Sequence, residues 1–201
     1  MVLLALTISI ILYQILWYFL IPDFKIRNIF YFLSPIITMG FLGIWYFYHQ
    51  MIDISLIPYL LIILTLSNLS FVDCKYYEVS GKSYWFLLVP ACVILFMTGN
   101  QMYLNLLSFV LMFATFWIID KLVGIEKIGG ADIKILFILA LTITMWDSLM
   151  LVILSFFVDV IIFVFSYPIH KILKKEGAVK IPMIVAISIA WIILCFMAYQ
   201  I

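Results

Sequence analysis

What this 201-residue chain has least of is charge: Asp, Glu, Lys and Arg together make up 10% of it, where a soluble fold carries about 25%. Hydrophobic residues fill the deficit at 68% of the chain, and the mean hydropathy is +1.31. A soluble domain of this size has no interior large enough to hide that much apolar surface, so lipid is the expected solvent. Cysteine is scarce as well. Cys74, Cys92 and Cys195 stand singly with no Cys-x-x-Cys pair, which encodes neither a zinc knuckle nor a disulfide framework. They read as apolar thiols buried in the membrane, and no metal or cofactor is expected. The formal net charge is only +1, and no nucleic-acid partner is expected. Missing too are a linker, a low-complexity tract, and any polar stretch long enough to build a soluble domain. The first apolar stretch lacks a basic segment before it and has about the length of a full span, so a cleaved signal peptide is not expected.

What is there divides almost completely into membrane crossings. A bilayer core of about 30 Å takes about 20 apolar residues at 1.5 Å rise each. The expected spans are Val2 to Ile21, Ile29 to Tyr48, Ile54 to Val72, Ser83 to Thr98, Met102 to Trp117, Ile133 to Trp146, Ser148 to Ile169 and Ile181 to Gln200. The sixth is short, and its flanking glycines suit a re-entrant angle. All eleven basic residues, from Lys25 and Arg27 to Lys180, fall in the connections after the odd-numbered spans. The connections after the even-numbered spans, His49 to Asp53, Gly99 to Gln101 and Trp146-Asp147, hold no Lys or Arg. By the positive-inside rule the basic set is cytoplasmic and both termini lie outside. A wrong span count would have scattered the charges, so their segregation supports the count. The fold class expected is therefore all-α, a multi-pass cell-membrane protein of about eight helices.

Among the acids, Asp53, Asp120, Glu126, Asp147 and Glu176 fall in connections and read as solvated. Asp73 ends the third span and Asp132 opens the sixth, which places both at one depth on the cytoplasmic side. Two carboxylates at hydrogen-bond distance cannot both ionise cheaply, so they share a proton. One then acts as general base on a water that attacks a peptide carbonyl, while the other protonates the leaving amine. Such a pair titrates as a unit, and the sequence does not assign the proton. Before Asp132 stand Gly129, Gly130 and Ala131, small residues that let a substrate backbone approach closely. A turn that opens a helix with Asp as its cap accounts for the same pattern.

Two blocks resemble the type IV prepilin peptidase-like aspartic peptidases, and most closely their archaeal preflagellin and prepilin peptidase branch. One is Asp73-Cys74-Lys75-Tyr76-Tyr77-Glu78-Val79, similar to the family's first aspartate and its basic follower. The other is Gly129-Gly130-Ala131-Asp132-Ile133-Lys134, similar to the family's Gly-x-Gly-Asp-x-Lys. The two aspartates are 59 residues apart with two spans between them, close to the family's spacing. A weaker third block is Lys180-Ile181-Pro182. The resemblance covers about residues 55 to 200 and implies a division into an N-terminal helix pair at 1–53 and a six-helix peptidase core at 54–201. It implies Asp73 and Asp132 as the catalytic pair, Gly129, Gly130 and Ala131 as the positioning motif, and a pilin-like or flagellin-like precursor as substrate, its short basic leader cut off at the cytoplasmic face. Ala131 stands where the family most often has Gly, and the Ile-Pro-Asn common after the first aspartate is absent. The paired-cysteine domain of many bacterial members is absent too, so no N-methyltransferase activity is implied.

Other residues admit blander readings. Lys134 and Lys75 lie two residues beyond an aspartate, an offset that does not pair side chains on a helix; snorkelling to lipid headgroups accounts for both, with support of the aspartate pair as the alternative for Lys134. Lys171, Lys174, Lys175 and Lys180 read as topology anchors. Asp159 lies near the middle of the seventh span, about 15 Å from either surface by helical rise, and reads as a structural acid or as one that tunes the pair from a neighbouring helix. The rival function is a small transporter or channel with Asp73, Asp132 and Asp159 as proton or cation sites. Its expected signature is an inverted repeat or several polar mid-span residues. A non-catalytic assembly scaffold is the third reading. Nothing in the sequence speaks to oligomeric state.

Overall fold

A computed structural model of the chain describes residues 1–21, 29–50, 52–76, 79–123, 130–172 and 182–198. It holds eight α-helices: α1 Val2–Leu20, α2 Ile29–His49, α3 Ile57–Tyr76, α4 Ser83–Met97, α5 Met102–Val123, α6 Gly130–Ala140, α7 Met145–Ile172 and α8 Met183–Ala198. Short 3₁₀ turns at Ile54–Leu56 and Gly99–Gln101 lead into α3 and α5. The chain is an all-α polytopic membrane protein.

The centre is α3. It is apolar on all sides, as a helix surrounded by others must be, and it packs against α1, α2, α4 and α8. Leu60, Ile62, Ile63, Leu64, Leu66 and Leu69 are buried around its whole circumference. The outer helices α1, α5 and α7 are equally apolar but leave most of that surface exposed, including Leu12, Phe19, Tyr103, Val110, Phe157 and Phe165. In lipid such a surface needs no protein cover. Burial therefore tells α3 from its neighbours where hydropathy alone does not.

Polar side chains join the helices where the backbone needs partners. Pro90 inside α4 has no N–H to offer the Phe86 carbonyl one turn earlier. The Tyr13 hydroxyl from α1 donates to that carbonyl, and the Thr65 hydroxyl from α3 reaches it at 3.3 Å. One helical position on, Gln14 and Asn68 exchange amide hydrogen bonds at 2.9 and 3.3 Å. Unpaired backbone groups have no water to turn to in a bilayer core, so α1 is tied to the α3–α4 pair by the consequence of one proline.

The sixth span differs from expectation in length. The apolar run reaches Trp146, but α6 stops at Ala140 after 11 residues, about 17 Å by helical rise and short of a full crossing. Thr142 and Thr144 explain the stop. The backbone tightens into i−3 bonds, Leu141 to Ile138 and Thr142 to Leu139. The Thr142 hydroxyl donates back to the Leu139 carbonyl at 2.7 Å, Asn105 donates to the Leu141 carbonyl at 3.3 Å, and the Trp191 indole donates to Thr142 at 3.1 Å. Thr144 then opens α7 as its N-cap: its hydroxyl donates to the Asp147 carboxylate at 2.7 Å and accepts the Asp147 N–H at 3.5 Å. Asp147 is thus a first-turn residue of α7 and half-buried, rather than a solvated loop acid.

Candidate active site

Asp73 lies in the last turn of α3 and is 9% exposed. Its Oδ2 accepts a hydrogen bond of 3.3 Å from the backbone N–H of Ile184, in the first turn of α8. The first N–H groups of a helix have no partner within it, and the helix dipole favours negative charge there. Asp73 supplies that partner from a different helix. Pro182 precedes α8 and forms the first backbone bond with Val185 at 3.1 Å. One turn further into the bundle, the Ser70 and Ser188 hydroxyls meet at 3.1 Å, and Ser188 also bonds the Ile184 carbonyl. The antiparallel register of α3 on α8 thus passes through Asp73, and small side chains let the two backbones come close.

Asp132 lies in the first turn of α6 and is half-buried. Both α6 and α3 pack against α4 and α8, so the same two helices position the two acids. The Asp132 carboxyl is within electrostatic reach of Asp73 and of Asp159, and it acts in turn on Tyr84 in the first turn of α4. Positions 73 and 159, distant in the sequence, thus both act electrostatically on Asp132.

The remaining candidates fall around this group. Gly130 opens α6 and is exposed, and Ala131 is half-buried; Gly129 lies outside the described residues. A Cβ built on Gly130 meets nothing within 4 Å, so no contact among the described residues requires glycine there. Lys134 is exposed, with its Nζ 5.3 Å from the centroid of the Tyr84 ring. An exposed cation–π contact of this kind contributes about 0.5–1 kcal/mol. The side chains of Lys75, Lys171, Lys174 and Lys175 lie outside the described residues, as does Lys180. The three cysteines are free, and Cys74 is exposed rather than buried.

Two participants escaped the sequence reading. The Ile184 N–H is a backbone group and carries no residue signature, although Pro182 marked a helix start beside it. Tyr84 follows the Ser80-Gly81-Lys82 turn, and its place one residue into a span at the same end as Asp73 was the available signal.

No curated protein and no solved structure matched the chain. A family model described as the type IV leader peptidase family matches residues 59–164, more than half of the chain. The matched stretch runs from α3 into α7 and takes in Asp73, Asp132 and Asp159, while α1 and α2 precede it. Its description names a peptidase, which sets aside the transporter and scaffold readings as first choices. From α3 to α7, then, this chain belongs to the type IV leader peptidase family.

Proposed function

We propose that the chain is an aspartic endopeptidase whose catalytic pair is Asp73 and Asp132, and that it removes the short basic leader from pilin-like or archaeal flagellin-like precursors at the cytoplasmic face. The observation that carries this reading is that Asp73 and Asp132 end and open helices packed against the same two neighbours, close enough for Asp73 to act electrostatically on Asp132, inside the stretch that matches the family. The pair shares one proton. The ionised member takes a proton from the attacking water, and the protonated member hydrogen-bonds the scissile carbonyl and then protonates the leaving amine. Water attacks, the peptide C–N bond breaks, and the pair returns to its starting state with the proton exchanged between its members.

Substrate chemistry agrees with the surroundings. A leader peptide that is basic is drawn to a site holding several carboxyls, and the apolar helix behind it is at home in the bilayer. The open space at Gly130 leaves room for a substrate backbone beside α6. The segregation of all eleven basic residues supports a cytoplasmic site.

The test is co-expression of a pilin-like precursor with the wild-type chain, Asp73→Asn and Asp132→Asn, followed by gel and mass analysis of the precursor. Leader removal by the wild type alone is expected. Normal processing by either variant overturns the assignment.

A further inference from the structure

Asp159 is an acid that neither the bundle nor the catalytic pair has absorbed. It sits on α7, whose face is largely lipid-exposed, yet its Oδ1 is buried and has no hydrogen-bond partner among the described residues. Nearby Ser155 satisfies itself on the Leu151 carbonyl at 2.6 Å, so the polar neighbour one turn away does not serve it. An unpartnered carboxyl oxygen in a membrane bundle is costly, and a purely structural acid would have a partner.

The fold directs this group toward Asp132. A four-residue connection joins α6 to α7, which makes the two helices antiparallel neighbours. Folding the chain about that connection brings Ile153 level with Asp132 and leaves Asp159 about 9 Å beyond by helical rise. Side chains lean toward the N-terminus of their own helix. On antiparallel helices the Asp132 and Asp159 carboxyls therefore lean toward each other and close much of that offset. Asp159 and Asp132 interact electrostatically as this places them.

We propose that Asp159 is a positioning residue of the peptidase site, a third carboxyl whose charge keeps the shared proton on the Asp73–Asp132 pair. This rests on the catalytic reading of that pair. A negative charge beside the pair makes it hold its proton to higher pH, which keeps the general acid available. The other titratable groups around α7 are few. From α6 comes Lys134, exposed and directed at Tyr84. From α8 comes Cys195, buried beside Asp147 near the opposite end of α7. From α5 come Tyr103 and Lys121, both exposed, while the Asp120 side chain lies outside the described residues. On α7 itself Asp147 is engaged with Thr144.

The experiment measures precursor cleavage by the purified full chain across roughly pH 4 to 9, for wild type, Asp159→Asn, Asp159→Ser and Asp159→Glu, with thermal unfolding of each. Both neutral variants are expected to fold at least as stably as wild type, since they remove an unsatisfied oxygen. They are expected to cleave at the acid end of the range with the alkaline limb moved down by about half a unit or more, and Asp159→Glu to restore the limb. Superimposable profiles overturn the proposal, as does a lower unfolding temperature in both neutral variants with the profile unmoved, which marks a structural acid. Complete loss at all pH values in folded protein also overturns it, since Asp159 would then belong to the reacting set. Failure of the wild type to cleave, or cleavage by Asp73→Asn, strikes the catalytic pair instead.

Discussion

Asp73 and Asp132 reach the same site on helices built in different ways. Asp73 ends α3, the most enclosed helix of the bundle, and its carboxylate is fixed by the first turn of α8. Asp132 opens α6, the shortest helix, whose hydrogen-bonded anchor is at the far end, where Asn105, Thr142 and Trp191 gather. One acid takes part in a hydrogen bond between helices, and the other opens a short helix whose buried side chains, Ile133, Ile135 and Leu136, pack into the core beside it.

The comparison can be broken or sharpened by substitution. The largest effect is expected from Asp73→Asn and Asp132→Asn, each lowering precursor cleavage by at least about 100-fold, read by mass spectrometry of the product. Next comes stability. Asp73→Ala leaves the Ile184 N–H without a partner and is expected to cost about 1–3 kcal/mol, while Asp73→Asn retains an oxygen for it and costs less. Asp132→Ala, with no such hydrogen-bond partner among the described residues, is expected to cost under about 1 kcal/mol; equal losses at the two positions in detergent unfolding would erase the distinction. Thr142→Val removes the acceptor of the Trp191 indole and is expected to cost about 1–2 kcal/mol and to lower cleavage through α6. The Ser70→Ala change at the α3–α8 seam should cost about 0.6 kcal/mol, the average for such bonds between membrane helices. Smallest is Gly130→Ala, expected to leave the unfolding temperature unchanged because the space is open, so that any loss of cleavage reports contact with substrate.

The sequence made the eight helices legible because lipid imposes one length and one composition on each crossing. It made Asp73 and Asp132 stand out because ionised groups are rare in such a chain. It did not reveal where α6 stops. That depends on Thr142 and Thr144 finding partners from α5, α7 and α8, and hydropathy treats those residues as neutral. The Thr144 cap with Asp147 three residues on was readable but was masked by the apolar run around it. The links from Gln14 to Asn68 and from Tyr13 to Phe86 went unseen for a related reason. Each polar residue is isolated among apolar ones along the chain, and only the crossing of α1, α3 and α4 brings them together. Asp159 was visible as an acid, while its nearness to Asp132 depends on how α6 and α7 fold back on each other.

The most direct test uses purified chain in lipid vesicles with a precursor whose basic leader and apolar helix are both intact, and follows the new N-terminus by mass spectrometry. The account predicts a single cut between leader and helix by the wild type, and none by folded Asp73→Asn or Asp132→Asn. Cleavage at the wild-type rate by either variant would contradict it.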